Sequence, residues 1–516
     1  MEFISILNDV LGPVMRGPSS SHTAGSYHIA RIVRSLMEEE PSSVSFTFDL
    51  NGSYIQTYRQ QGADLAFAAG IMDWPITDIR FPQALEMATQ QGIQINFQGA
   101  ALEHADHPNT VQIETISKSG RKLSAVAKSI GGGGILFTEF EGWPVHLNGK
   151  SHEVLVLCER AAETAVKKVL STDKDVSSKP DSKFKGDEVL VFTERLYPLD
   201  PRLRAQIELT PGVKGFWATS PVFYARRGEA LFSSAEGMAR LAEHRRCSLG
   251  EIALAYELQL LGLSEKEILN EIMRRFEIMK LAVIQGLAEK NLKMQLLHPT
   301  ARKILRAELE GKVAIGGVHA RAAARAMAAL HVCNSMGIVC AAPTGGSAGV
   351  IPGVVVTLTE EKNLTQREAA MALLAASAIG LIVARRATFA AEVAGCQVEI
   401  GAAGAMAASA TVEAVGGSAR QAIDAAAISF QNTMGSACDL VQGMCEIPCH
   451  TRNAVAASSA FICADLILGG YDNPVPLDET IDAVFASGRM LPHELRCTAR
   501  GGLAVTPSAL ALPRLR

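Results

Sequence analysis

The sequence predicts an α+β protein: an N-terminal α/β domain, a small α+β middle segment and a mainly α-helical C-terminal domain. Three patterns support this order. Strand-like and helix-like stretches mix in residues 1–150, a strand, a helix and a second strand occupy 151–228, and helical periodicity dominates 229–516. With 516 residues, 48% of them hydrophobic, the chain is long enough to form several cores. We therefore expect three domains with these boundaries.

The elements can be assigned in chain order. In the first domain we expect a helix near 23–39 and strands at 43–50, 94–97, 111–116 and 135–141. In the middle segment we expect strands at 153–157 and 188–193, a helix at 161–170, and a polar separator at 171–185. In the last domain we expect helices at 252–261 and 264–287, the second opening on a capping box formed by Ser264 and Glu267.

Composition excludes several classes of function. The net charge is −4 and there is no long basic run, so neither nucleic acid nor an anionic membrane is expected as a partner. The apolar run at 369–384 is shorter than the roughly 20 residues that cross a bilayer, and the stretch at 326–359 is interrupted by prolines and glycines. The N-terminus has no secretory pattern, so we expect a cytoplasmic protein with a small-molecule partner.

Three of the ten cysteines, Cys396, Cys438 and Cys449, lie in the Gly- and Ala-rich last third of the chain. Without an export signal, cysteines are more often free thiols or metal ligands than disulfides. Three thiolates can hold an iron–sulfur cluster and leave one iron without a cysteine, and such an iron can act as a Lewis acid. The three residues therefore predict a three-thiolate metal site.

Two loops are candidate anion sites. Residues 17–25 read Gly-Pro-Ser-Ser-Ser-His-Thr-Ala-Gly, which places three hydroxyls and unpaired amides before a helix, with His22 as a candidate proton acceptor. Residues 343–353 are rich in glycine and again combine amides with hydroxyls. The ordinary alternative is a serine N-cap in the first loop and close packing of glycines in the second.

Together these segments resemble one known family, the iron–sulfur-dependent L-serine ammonia-lyases, also called L-serine dehydratases. The segments that carry the resemblance, in chain order, are Gly17–Thr23, Gly52-Ser53 with Thr57, Ser129–Gly132, Ala342–Thr344, Gly395–Gln397 with Glu399, Cys438-Asp439, Pro448-Cys449 with Arg452–Ala454, Leu491-Pro492 and Gly501–Ala504. They cover almost the whole chain except parts of the middle. The two large parts look like the family's β and α parts fused in one chain, and the middle segment looks like the place where many members carry an ACT-type domain.

The resemblance implies a cofactor and a set of site residues. Cys396, Cys438 and Cys449 would hold a [4Fe-4S] cluster, and no pyridoxal phosphate is expected. Either Cys445 or Cys497 could be a core thiol or a further group on the cluster. The implied catalytic residues are His22, Ser20 and Asp64, and the implied substrate-binding residues are Ser19, Ser20, Ser21, Thr23, Thr344, Gly345 and Ser347. The two loops would then have to meet across a domain interface.

One departure from the family pattern lies at residues 59–64. Where the family commonly has Lys-Gly-His-x-Thr-Asp, this chain has Arg-Gln-Gln-Gly-Ala-Asp, so Gln61 and Ala63 replace the histidine and the threonine. An amide cannot act as a base. Proton transfer would then fall to another group such as His22, or the substrate would differ from L-serine.

Three functions stay open on this basis. The first is dehydration of L-serine, or a similar β-hydroxy amino acid, to a 2-keto acid (pyruvate from serine) and ammonia. The second is elimination of another β-substituent, such as sulfide from L-cysteine. The third is a non-catalytic sensor that carries the cluster. The Ala/Gly-rich helices also favour a homodimer.

Overall fold

The N-terminal region is built on one mixed sheet. The computed structural model describes residues 3–103, 105–172 and 178–515. The region contains β1 (Val14–Arg16), α1 (Gly25–Met37), β2 (Pro41–Asp49), α2 (Tyr54–Thr57), α3 (Ala63–Ile71), α4 (Ala84–Gln90), β3 (Gln94–Ala100), β4 (Thr110–Ser117), β5 (Lys122–Gly131), β6 (Gly134–Phe140) and β7 (Trp143–Leu147). Six of its strands pair in the order β3-β2-β4-β5-β6-β7, and only β2 and β3 are parallel.

The predicted helix and four predicted strands of this region are present. They correspond to α1, β2, β3, β4 and β6. Three strands of the region, β1, β5 and β7, were not predicted. β5 alternates small or aliphatic buried residues with partly exposed polar ones, and its Gly131 end resembled a loop. The buried faces of α1, α3 and the sheet form one apolar core.

The middle segment folds as a second, smaller sheet with two helices. It contains β8 (His152–Glu159), α5 (Glu163–Leu170), β9 (Asp181–Lys185), β10 (Glu188–Arg195), α6 (Pro201–Glu208) and β11 (Val213–Ala218). The strands are antiparallel in the order β11-β8-β10-β9, which is a βαββαβ arrangement. β9 lies inside the stretch expected to be a polar separator, of which residues 173–177 are outside the described part. The ACT-type identity stays a prediction.

The rest of the chain is mainly helical. It contains α7 (Ala235–Arg245), α8 (Leu249–Leu261), α9 (Glu265–Ala288), α10 (Ala301–Leu309), α11 (Val318–Asn334), β12 (Ile338–Cys340), α12 (Val350–Lys362), α13 (Gln366–Arg386), α14 (Ala391–Ala394), α15 (Ile400–Ala414), α16 (Ala419–Gln431), β13 (Cys438–Asp439), α17 (Cys449–Leu468), α18 (Leu477–Met490), β14 (Arg496–Thr498) and α19 (Pro507–Leu510). The capping box of Ser264 and Glu267 at α9 is confirmed. The predicted boundaries at 150 and 228 fall between β7 and β8 and between β11 and α7, and the domain division stays a prediction.

Helix α13 contains the apolar run noted in the sequence. Of the described part of the chain, it is the one helix whose length and composition would suit a membrane span. In this fold 83% of its most apolar window is buried within the protein. It packs against α8 and α15, where alanines allow the helix backbones to approach closely.

The first residues of the chain join the helical core. Ile6, Leu7, Val10 and Leu11 are buried among the helices, and β1 pairs with β12. The fully buried carboxylate of Glu257 in α8 accepts hydrogen bonds from Ser5 Oγ at 2.6 Å and from the amides of Ile6 and Leu7 at 3.0 Å. This carboxylate therefore anchors the segment that leads into the Gly17–Gly25 loop.

We predict that Glu257→Gln destabilises the protein by about 2–4 kcal/mol, because a carboxylate that accepts several buried hydrogen bonds is replaced by a group that can accept at only one atom. The measurement is the midpoint of thermal unfolding. Glu277→Gln is the control, since Glu277 is an exposed glutamate of α9 paired with Lys280 on the surface. Equal midpoints for the two variants would contradict the anchoring role.

Candidate functional site

Two loops that are distant in sequence meet in the structure. A side chain at Gly345 would lie 2.8 Å from the carbonyl oxygen of Pro18, and one at Gly17 would collide with the carbonyl of Cys333 in α11. The thiol of Cys333 bridges the two loops by contacting the carbonyls of Pro18 and Gly345 at 3.5 and 3.3 Å. The loops expected to face each other are therefore brought together.

The hydroxyls of the first loop are all buried, but they have different partners. Ser19 Oγ accepts a hydrogen bond from the His22 amide at 3.1 Å and caps the turn. Thr23 Oγ1 donates to the carbonyl of Gln61 at 2.7 Å, so it holds the 57–62 segment. The Ser21 carbonyl accepts from Ser129 at 2.8 Å. Ser20 Oγ has no hydrogen-bond partner among the described residues.

The hydroxyls of the second loop hold the loop itself. Thr344 Oγ1 and Ser347 Oγ are 2.9 Å apart and are hydrogen-bonded to each other. Asn453 in α17 donates to the carbonyl of Gly346 at 2.8 Å and accepts from the Gly349 amide at 3.2 Å. The loop is thus fixed against the helix that begins at Cys449.

His22 is completely buried. Its Nε2 lies 3.0 Å from Thr57 Oγ1 and 3.3 Å from Ser53 Oγ. Its Nδ1 lies 3.4 Å from Ser19 Oγ and 3.5 Å from Glu392 Oε1. Burial lowers the pKa of His22 to about 3, so the ring is neutral at physiological pH.

The predicted cysteines line one cavity with two further cysteines. Its lining residues are Ser19, Gln61, Gly346, Glu392, Cys396, Glu399, Ile400, Cys438, Leu440, Cys445, Cys449 and Cys497. The ligand atoms of Cys396, Glu399 and Cys438 lie within 4.8 Å of one another. The thiol of Cys438 neighbours that of Cys396 on one side and that of Cys497 on the other, and Cys445 neighbours Cys449. The five thiols therefore form one buried group.

Local backbone features place these thiols. Cys396 follows Gly395, which has a φ of 76° and where a Cβ would lie 2.7 Å from the Ser436 carbonyl. Cys497 is the bulged residue of the short β13–β14 pairing and has a φ of 58°, which directs it beside Cys438. Cys449 begins the long helix α17, whose N-terminal dipole favours a thiolate.

The donor set suits a metal or an iron–sulfur cluster. The neighbouring Cys438 thiol and burial raise the pKa of Cys396, and the neighbouring Cys449 thiol and burial raise the pKa of Cys445. In contrast, the neighbouring Cys445 thiol lowers the pKa of Cys449, and nearby Arg452 acts in the same direction. Buried sulfur ligands of this kind are typical of zinc and iron–sulfur sites.

Two glutamates complete the cavity, Glu392 buried and Glu399 half-buried, and no role was expected of either from the sequence. Burial raises the pKa of Glu392 and of Glu399. Glu392 Oε1 accepts from Asn109 Nδ2 at 3.2 Å, whereas its Oε2 has no hydrogen-bond partner among the described residues. Glu392 is the one charged residue in the apolar stretch 389–394, and this pattern could have identified it from the sequence. Glu399 belongs, together with Gly395–Gln397, to a motif that carries the family resemblance.

Gln61 lies at the cavity and Asp64 does not. Gln61 is completely buried, its Nε2 donates to the Gly443 carbonyl at 3.3 Å, and its Oε1 has no partner among the described residues. Asp64 is absent from the lining because its carboxylate accepts from the Leu65 amide at 2.8 Å in the first turn of α3. Burial raises the pKa of Asp64 to about 6.

Known proteins resemble both parts of the chain. Residues 216–504 match the family model described as serine dehydratase alpha chain. A probable L-serine dehydratase alpha chain of Bacillus subtilis is 34% identical over 284 residues, which is 55% of this chain and 95% of that protein. A probable beta chain from the same organism is 41% identical over 159 residues, 30% of this chain and 69% of its own length. An L-serine dehydratase of Streptomyces coelicolor is 28% identical over 513 residues, covering 95% of this chain and 96% of that protein.

The similarity to separate alpha and beta chains and to a one-chain relative agrees with the fused organisation that the motifs implied. The family model alone covers more than half of the 516 residues. The chain therefore belongs to the serine dehydratase family and is an enzyme of the lyase class.

Proposed function

We propose that this chain holds a [4Fe-4S] cluster through Cys396, Cys438 and Cys449 and eliminates water from L-serine, with pyruvate and ammonia as products. The observation that carries the proposal is the convergence of five buried thiols, the carboxyls of Glu392 and Glu399, and Ser19 of the 17–25 loop on one cavity. The relatives named L-serine dehydratase support the same substrate. The cytoplasmic location and the homodimer expected from the sequence stay predictions.

The groups with unused hydrogen-bonding capacity indicate how an amino acid would be held. Ser20 Oγ and Gln61 Oε1 are buried and have no partners among the described residues, so each can take up a bond at low cost. Gln61 Oε1 is an acceptor and suits the ammonium group. The Ser19–Ser21 hydroxyls and amides suit the carboxylate. Thr344 and Ser347 would support this loop, since their hydroxyls are bonded to each other.

The chemistry follows from these positions. When bound, a cluster with one iron free of cysteine supplies a Lewis acid for the leaving hydroxyl. Loss of the α-proton and of hydroxide from serine forms water and 2-aminoacrylate. This enamine tautomerises to an imine, which takes up water and yields pyruvate and ammonia. These reaction steps require no pyridoxal phosphate.

We predict that Cys438→Ser loses most of the iron and acid-labile sulfide that the wild-type chain takes up during anaerobic reconstitution, because Cys438 lies between two other thiols of the site. The measurement is iron and sulfide per chain. Cys158→Ser is the matched control, since Cys158 is a buried thiol of β8 in the middle segment. Equal iron in both variants would contradict the ligand assignment.

Cys445→Ser and Cys497→Ser extend this experiment to the two thiols left open by the sequence. Loss of one iron from a variant, seen as conversion to a three-iron cluster by electron paramagnetic resonance, identifies a fourth ligand. Unchanged spectra in both variants would mean that the two thiols only pack at the cavity.

We predict that the anaerobic, iron-replete protein releases ammonia and pyruvate from L-serine, and that activity and visible colour are lost together in air. The measurement is product formation with L-serine, L-threonine, L-cysteine and the D-isomers. Gln61 favours testing a second function, because it replaces the family histidine at the cavity. Sulfide release from L-cysteine without turnover of L-serine would show that the chain is a desulfidase and not a dehydratase. No turnover of any compound would favour the non-catalytic sensor.

We predict that Gln61→Ala lowers kcat/KM by about 10- to 100-fold, mainly through KM, because it removes an acceptor for the charged ammonium group. Gln60→Ala is the matched control, since Gln60 is the preceding residue and does not line the cavity. Iron content should stay the same in both variants. A KM unchanged from wild type in Gln61→Ala would argue against contact between Gln61 and the substrate.

A further inference from the structure

Elimination requires a group that removes the α-proton, and this requirement rests on the proposed function. Gln61 occupies the cavity position where a histidine was expected, and an amide cannot take up this proton. His22 is completely buried, both its ring nitrogens face hydroxyl or carboxyl groups of the protein, and it does not line the cavity. The acceptor must therefore be sought among the other cavity-lining groups.

The two carboxyls at the cavity differ in their surroundings. The carboxylate of Glu399 lies within 4.8 Å of the sulfurs of Cys396 and Cys438. Glu399 is therefore part of the group that would surround a metal. Glu392 lines the same cavity four residues before Cys396 and is absent from that cluster of ligand atoms. Of the two, Glu392 is the one left for proton transfer.

The contacts of Glu392 orient its carboxyl group. Asn109 Nδ2 donates to one oxygen, Oε1, at 3.2 Å, and His22 Nδ1 lies 3.5 Å from the same oxygen. The other, Oε2, is buried and has no hydrogen-bond partner among the described residues. A carboxylate with one held oxygen and one free oxygen has the geometry of a positioned general base.

We propose that Glu392 is the general base of this chain and that Asn109 and His22 are positioning residues that hold its Oε1. Glu392 Oε2 takes the α-proton, and the electron pair of the Cα–H bond forms the Cα–Cβ double bond. The Cβ–O bond breaks and its pair leaves with the hydroxyl oxygen. The proton then passes from Glu392 to the departing hydroxide, so water is released and the carboxylate is restored.

Neutral His22 suits this positioning role. Burial keeps it uncharged, so it does not fix a permanent ion pair that would suppress the basicity of Glu392. Thr57 and Ser53 contact its far nitrogen at 3.0 and 3.3 Å and fix the ring plane.

The test is Glu392→Gln in the reconstituted full-length enzyme. We expect kcat with L-serine to fall by about 10²–10⁴-fold, with KM and iron content close to wild type. We also expect L-serine deuterated at the α-carbon to show a larger isotope effect than in wild type, because proton removal becomes rate-limiting. Glu413→Gln is the matched control, since Glu413 is a mostly buried carboxyl bonded to Ser248 away from the cavity.

A second variant, Asn109→Ala, keeps the proposal falsifiable if Glu392→Gln loads no iron. Removal of the donor to Oε1 should lower kcat by about 10- to 100-fold without a change in KM. An iron-replete Glu392→Gln with kcat within about tenfold of wild type overturns the base assignment. An iron-replete Asn109→Ala with unchanged kcat also overturns the proposal. A wild-type enzyme that loads iron but turns over no amino acid instead overturns the proposed function, and the role of Glu392 with it.

Discussion

The close approach of the 17–25 loop to helix α11 at Gly17 and to the 343–353 loop at Gly345 is the constraint on which the site depends. Neither position leaves room for a Cβ, because the carbonyls of Cys333 and Pro18 occupy that space. This approach places the 17–25 loop of the N-terminal part against the 343–353 loop, which α17 supports. Without it the polar groups of one part and the thiols of the other would not share a cavity. The Glu257 anchor and the β1–β12 pairing hold the incoming segment in register for this contact.

Burial of so many acidic groups in one place sets the electrostatics of the cavity. Five thiols and two carboxyls line it, and each loses stability as an anion when it leaves water. Arg452 approaches the thiols, but it is also bonded to Asp439 at 2.9 Å. A bound cationic centre would compensate several thiolates at once. This balance gives a physical reason why residues so costly to bury are assembled here.

Much of the architecture followed from local patterns. The capping box at α9 and the alternating apolar and polar residues of strand β2 each carry their signal within a few neighbouring residues. Strand β5 carries no such local signal, because its lysines, serines and small residues give only a weak alternation of apolar and polar side chains. The motifs around Cys396, Cys438 and Cys449 predicted that these three residues lie together. The position of Cys497 in the same cavity depends on a strand bulge that no local sequence pattern indicates.

Polar residues of the site were harder to assign, because a side chain's direction depends on the tertiary contacts of its neighbours. Asp64 stands in a motif with Gln61, yet only Gln61 reaches the cavity, since Thr23 holds the Gln61 carbonyl while the Asp64 carboxylate is bonded within its own helix.

The same contacts explain how a glutamine can occupy the place of a histidine. Gln61 Nε2 is bonded to the Gly443 carbonyl of the loop that precedes Cys445 and Cys449, and the side chain thereby links the N-terminal part to the thiol-bearing part. A glutamine can make this link and still present an acceptor to the cavity, but it cannot exchange a proton. Acid–base work in such a site has to rest on a different buried group, and a carboxyl with one oxygen held and one oxygen open meets that requirement within the same cavity.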